Sequence, residues 1–487
     1  MPTSILRPIA WVLLVGLAPS LLRAETQAPP QTAVPAQATF FEKVLKLNLV
    51  QEPELDAEAA RRAFAGLLER LKPAIAAAQT PREKIAVLNR MLLADREVAY
   101  LSNLYWRDAT LAASLLRGKG NCLSTSTLYV LAGRELNLPI KMVLIPRHAF
   151  VRWDDGRTKI NIETTNKGKE IPEAEYLRMS DQPTPEDIEA LGWFKSLDDD
   201  AFFAEMLTIA AGHRIGEAKL EEAAALLDEA LRLAPGRTDY ELQRYKLMAD
   251  MTGRRSEARA KIVNLLQAKR LPPGVATAAL SYLASDAAGQ GDHLKERHFL
   301  MLAFKEAPKN QQPGILTQLA FCHRALKDFR GAVRYMELAA AIHDPNDPNF
   351  ASFLYNLAIL QKNDQRLGDA LASIRKARQI NPESWNLQTI EAGYLVLNGQ
   401  RDEGLKLFAA VKEPRADKEF YEIMVSWFYA VSRQREKFYA AFETALKNTR
   451  GTHILEWIDQ DVDLDVYRNE PEFKTLVETH RKRLVGK

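Results

Sequence analysis

The chain of 487 residues holds two cysteines, Cys122 and Cys322, and the first stands where nucleophilic chemistry is feasible. Cys122 follows the turn Gly118-Lys119-Gly120-Asn121 and opens a stretch with helical spacing. Backbone N–H groups at a helix N-terminus point at such a side chain and favour the thiolate, the nucleophilic form. The same groups can hold the oxyanion that forms on an attacked carbonyl. His148 is the only histidine before residue 200. Glu163 falls in the strand expected after the next turn, and a hairpin turning at Asp154-Asp155-Gly156 carries it back beside His148. A carboxylate there orients the imidazole and stabilises its protonated form, giving the nucleophile, base and orienter of an acyl-transfer site. A buried structural thiol is the competing reading of Cys122, and its polar Gly-Asn-Cys setting argues against it; taken singly, His148 reads as a surface residue and Glu163 as a solvated carboxylate. Their order and spacing carry the case. Asp154 and Asp155 are the alternative orienters, disfavoured because the turn holds them away. Asn121 either adds an oxyanion donor or occupies a left-handed turn before the helix, and the turn role is preferred. A single histidine without a close ligand pair argues against a metal site, and no cofactor is called for.

Several elements must position these groups. Helical periodicity predicts helices over about 40–49 and 56–78, with Pro73 marking a kink or early end of the second. Thr80-Pro81-Arg82-Glu83 reads as a capping box opening a helix to about Ala94. A further helix is expected over 108–117 and another from Cys122 to Asn137, with Ser124, Thr125, Ser126 and Thr127 crowding its first turn. The period then changes: Ile140 to Ile145, Ala149 to Trp153 and Thr158 to Thr164 read as an antiparallel meander. A helix followed by a meander is an α+β arrangement.

Four strings in this order resemble the transglutaminase-like superfamily, especially its bacterial branch with C-terminal tetratricopeptide repeats. Arg117-Gly118-Lys119-Gly120-Asn121-Cys122-Leu123-Ser124 is similar to that branch's Gly-Asn-Cys motif, and Leu136-Asn137-Leu138-Pro139-Ile140 to its helix-to-strand link. His148-Ala149-Phe150-Val151-Arg152-Trp153 resembles the histidine strand, and Asn161-Ile162-Glu163-Thr164-Thr165-Asn166 stands at the acidic strand. The family usually has Asp there, so Glu163 is a departure that keeps the charge and adds a methylene. The resemblance covers about residues 40–195 and is tightest over 117–166. It implies a papain-like fold in which Cys122 attacks an amide carbonyl, His148 protonates the leaving amine and a thioester forms.

After about Asp198 strand signals vanish and a small–large–small pattern recurs. The sets are Ala223, Leu227, Ala230 with Pro235; Ala258, Ile262, Leu265; Glu296, Leu300, Ala303 with Pro308; Ala332, Met336, Ala339; Ala370, Ile374, Ala377 with Pro382; Gly404, Phe408, Val411; and Phe438, Phe442, Ala445. Their spacing lies close to the tetratricopeptide period of about 34 residues and yields about seven units. Cys322 and the later Trp and Phe residues read as core of this solenoid, and His323 points to a different helix face from Cys322. Residues after about 450 depart from the period and read as a terminal cap.

The N-terminus has Arg7, an apolar run from Ile9 to Leu22 and Leu22-Arg23-Ala24, the pattern of a secretory signal peptide cleaved before Glu25. The expected organisation is therefore a signal peptide over 1–24, a disordered leader over 25–39, a transglutaminase-like domain over 40–197, tetratricopeptide repeats over 198–450 and a helical cap over 451–487. The fold class is an α+β papain/transglutaminase-like domain followed by an all-α tetratricopeptide solenoid. A net charge of +3 with no basic block disfavours nucleic acid, and no other stretch is long enough to span a bilayer. The expected function is an exported, periplasmic or extracellular, cysteine amidase or peptidase. Its substrate would be a peptide or protein, and its solenoid would bind a protein partner. A cross-linking transglutaminase and a non-catalytic peptide-binding or envelope scaffold are the alternatives.

Overall fold

The structure, a computed structural model, describes residues 39–485 apart from 102–105, 181–182, 252, 344–348, 416 and 450. The expected signal peptide, and all of the expected leader except Thr39, lie outside these residues. Thr39 caps the first helix, α1 (Phe40–Gln51), by accepting a hydrogen bond from the Glu42 N–H at 3.2 Å. Asp56 does the same for α2 (Ala57–Ala77), which continues past Pro73 and does not end there. Its stripe of Leu67, Leu71 and Ile75 is buried, and that burial offsets the hydrogen bond lost at proline. The capping box of Thr80 and Glu83 opens α3 (Pro81–Asn89), and the chain continues as a π-helical turn over Arg90–Ala94.

Two strands of two residues each follow: β1 (Ala99–Tyr100) pairs in parallel with β2 (Lys119–Gly120), flanking α4 (Leu111–Leu116). Segments this short have no period to detect, so the sequence showed only a break there. Then come α5 (Cys122–Glu135) and an antiparallel sheet in the order β3 (Ile140–Ile145), β4 (His148–Asp154), β5 (Lys159–Ile162). The core between them joins Leu128, Tyr129 and Leu131 of α5 to Met142, Val151 and Ile162 of the sheet and Leu67 and Leu71 of α2. Two short helices, α6 (Glu173–Met179) and α7 (Pro185–Leu191), complete this part.

The remainder is helical. In chain order it comprises α8 (Asp199–Gly216), α9 (Leu220–Leu233), α10 (Thr238–Asp250), α11 (Arg255–Gln267), α12 (Pro273–Gly289), α13 (His293–Glu306) and α14 (Gln312–Ala325). There follow α15 (Phe329–Ile342), α16 (Phe350–Asn363), α17 (Leu367–Ile380), α18 (Trp385–Leu397), α19 (Arg401–Ala409), α20 (Lys418–Val431) and α21 (Arg435–Asn448). Last come α22 (His453–Gln460), α23 (Asp465–Arg468) and α24 (Pro471–Val485). The small residues of the repeat pattern lie at helix contacts: Ala223, Ala230, Ala258, Ala303, Ala332, Ala339, Ala370 and Ala377 are all fully buried. The array is of the tetratricopeptide type.

The described residues group into two compact units, one of residues 39–286 and 298–311, the other of 287–297 and 312–485. Helix α8 belongs with the first: the Phe202 and Phe203 rings lie 5.3 and 4.7 Å from that of Phe40. The change at residue 198 is one of secondary structure, and the core continues across it.

Gly404 shows how close the helices come. A Cβ there would lie 2.5 Å from the Ala392 carbonyl oxygen and 2.7 Å from Val396 Cγ2. Gly404→Val should therefore destabilise the second unit by about 2 kcal/mol, lowering its melting temperature in a thermal scan of the full chain.

Candidate active site

Asn121 starts the site. Its backbone is extended (φ −101°, ψ −174°) and its side-chain oxygen accepts from the N–H groups of Leu123 and Ser124 at 3.1 and 3.2 Å. It is the N-cap of α5, so the preferred left-handed turn role is corrected. Gly118 is the residue there with positive φ, at 60°. The cap occupies the carboxamide oxygen of Asn121, and the Cys122 N–H stays beside its own sulfur. Cys122 is half-buried in the first turn.

The crowded first turn fixes that helix end. Ser124 Oγ donates to the Asp108 carbonyl at 2.8 Å and accepts from the Asn121 N–H at 3.1 Å. Gly120 leaves room for this, since a Cβ there would fall 2.3 Å from Ser124 Oγ. Thr125 and Ser126 bond through their hydroxyls to Thr164 Oγ1 at 2.9 and 3.2 Å. The helix of Cys122 is thereby tied to the residue that follows Glu163.

His148 begins β4, paired with Ile145 across a two-residue turn. Glu163 lies just beyond β5, corrected from within the strand: it bridges to Lys169 and caps a 3-10 turn over Thr164–Asn166. Extending the register in which Val151 opposes Ile162 sets Glu163 against Phe150, on the same sheet face as His148. The result is a hydrogen bond of 2.8 Å from His148 Nε2 to Glu163 Oε2. The same oxygen accepts from the Tyr176 hydroxyl at 2.9 Å, and Oε1 accepts from the Thr165 N–H at 2.9 Å and the Thr165 hydroxyl at 2.5 Å. Asp154 and Asp155 sit at the far end of β4, engaged with Ser196 and with Trp153 and Thr158 respectively.

Burial opposes charge on His148, but hydrogen bonds to Cys122 and Glu163, with the charges of both, push its pKa up to about 9. With Nε2 given to Glu163, Nδ1 is the ring nitrogen left for the sulfur. Burial also works against ionisation of Glu163, which is 3% exposed, yet His148 and Thr165 hold its pKa below the usual carboxylate value.

Tyr176 was not found by sequence reasoning. It stands 13 residues past Glu163 on α6, outside the recognised strings, and no periodicity marks it. Its ring stacks on Phe150 with centroids 4.0 Å apart. Buried Arg152 anchors α6 by reaching Glu173 at 2.8 Å and the Phe194 carbonyl at 2.9 Å. Across the site's other flank, Asn89 donates to the Gly168 carbonyl at 2.8 Å and accepts from Tyr129 at 3.0 Å, steadying the loop after Glu163.

Residues 58–192 match the family described as the transglutaminase-like superfamily. This segment is transglutaminase-like. No curated protein matches the chain. Among solved structures, the chain is similar to the C-terminal part of a TPR repeat-containing protein from Cytophaga hutchinsonii (15% identity, 52% of this chain and 97% of that one, TM-score 0.32). It is also similar to PilF of Pseudomonas aeruginosa (12% identity, 58% and 100%, TM-score 0.30). A third is MamA, from residue 41 onward, of Desulfovibrio magneticus (14% identity, 44% and 95%, TM-score 0.27).

Outside the transglutaminase-like segment, Cys322 is buried, donates to the His293 carbonyl at 3.3 Å, and has its pKa pushed up to about 12 by burial and Glu296. His323 bonds instead to Asp328 at 2.8 Å. Among the described residues no cluster of His, Cys, Asp and Glu could hold a metal ion, and no helix is long and apolar enough to cross a membrane.

The raised pKa of His148 has a signed consequence. Its proton stabilises the fold fully below pH 6.5, and that contribution is lost as pH rises through about 9. The difference in melting temperature between the native chain and His148→Gln should therefore shrink steadily between those values.

Proposed function

We propose that the chain is an exported cysteine amidase or peptidase that works through a thioester, with its helical repeats engaging a protein partner. The observation that carries the catalytic part is the bond between His148 and a buried, fully satisfied Glu163, with Cys122 as the second partner of the ring. The apolar N-terminal run supports export, and the tetratricopeptide-type helices support the partner role.

In this reading the pair works as thiolate and imidazolium. The sulfur attacks an amide carbonyl, and a C–S bond forms as the carbonyl electron pair moves onto oxygen. When the C–N bond breaks, the leaving amine takes the proton from His148, and a thioester on Cys122 remains. Water entering with the neutral imidazole as base releases the acid. An amine acceptor in place of water gives cross-linking. Glu163 holds the ring in place through both steps.

Iodoacetamide tests the nucleophile without a known substrate. At pH 6, Cys122 should alkylate at least ~10-fold faster than a free cysteine peptide, and His148→Ala should remove that advantage. Equal rates for Cys122 and the peptide would leave a non-catalytic scaffold as the better reading.

A further inference from the structure

An oxyanion site needs two donors near the attacked carbonyl, and the structure supplies one plainly, the Cys122 N–H in the first turn of α5. Asn121 is the adjacent polar side chain, and the helix cap fixes its carboxamide through the oxygen. A second candidate lies on β1. Tyr100 is directly in register with Gly120, two residues before the nucleophile, and the Leu101 N–H holds the pairing through the Gly120 carbonyl at 2.9 Å. Residues in register across a parallel pair project to the same face of the sheet. The Cβ direction at Gly120 runs into Ser124 of α5, so Tyr100 projects toward the N-terminal turn of that helix.

The phenol is 46% exposed. An open phenol of that kind beside a nucleophile is free to accept a substrate. Burial, together with the charges of Cys122 and Glu163, raises its pKa, so the phenol stays protonated and its ring lies within the field of both groups.

We propose that the Tyr100 hydroxyl is the side-chain donor of the oxyanion site, acting with the Cys122 N–H on the oxygen of the attacked carbonyl. The proposal rests on the thioester reading above. When the C–S bond forms, the displaced electron pair resides on that oxygen, and Tyr100 donates a hydrogen bond to it without transferring its proton. On collapse the pair returns to carbon, the leaving group departs, and the tyrosine is unchanged.

Two reagents separate this role from a structural one. Acylation of Cys122 by 4-nitrophenyl acetate passes through a tetrahedral oxyanion and expels 4-nitrophenolate. Alkylation by iodoacetamide is a direct displacement of iodide with no oxyanion. In the full chain, Tyr100→Phe should slow acylation roughly 100-fold while leaving the alkylation rate within about two-fold of the native value. Unchanged acylation overturns the proposal. An equal fall in both rates also overturns it, since Tyr100 would then be shaping the site. Cys122→Ala should abolish labelling of the site by either reagent. If the native chain reacts with neither faster than a free cysteine peptide, the thioester reading itself fails, a result distinct from a failure confined to Tyr100→Phe.

Discussion

A carboxylate sealed from water keeps its charge only if the fold supplies the hydrogen bonds that water would have given. Glu163 meets that demand with donors from three directions: the imidazole of His148, the phenol of Tyr176, and the backbone and hydroxyl of Thr165. Removing one partner from a buried ionic group typically costs about 3–5 kcal/mol, so these residues constrain one another. The ring of His148 is fixed because its carboxylate is fixed.

Much of the surrounding structure serves that arrangement. The hydroxyls of Thr125 and Ser126 converge on Thr164, which sets the distance between the helix of Cys122 and the turn of Glu163. Arg152, 3% exposed, ties β4 to α6 and so presents Tyr176 to the carboxylate. Gly120 and Gly168 are needed where side chains press against the backbone, Ser124 in one case and Asn89 in the other. At Glu163, the extra methylene relative to aspartate is accommodated just past the strand end, where the chain has left the ladder.

Cys122, His148 and Glu163 were readable as candidates from their order and spacing, with a glycine turn marking the helix that Cys122 opens; the end of β5 was not marked, and Glu163 was expected inside that strand. The repeat sets were legible because helix pairs demand small residues at fixed intervals, as at Ala370, Ile374 and Ala377. What stayed hidden depends on contacts between distant segments. Tyr176 meets Glu163 only after α6 folds back, and Tyr100 comes into register with Gly120 through a strand of two residues. The role of Asn121 was misread because a cap and a left-handed turn favour the same residue type. Likewise, loss of strand signal at residue 198 resembled a domain boundary, although Phe202 and Met206 belong to the core that precedes it.

The central claim is that Glu163 keeps His148 charged beside the sulfur at neutral pH. Nuclear magnetic resonance of the isotope-labelled His148 ring tests it directly. The account predicts an imidazolium at pH 7.5 with a titration midpoint near 9, moving toward 6.5 in Glu163→Gln. A ring that titrates near 6.5 in the native chain, and is indifferent to Glu163→Gln, would contradict it.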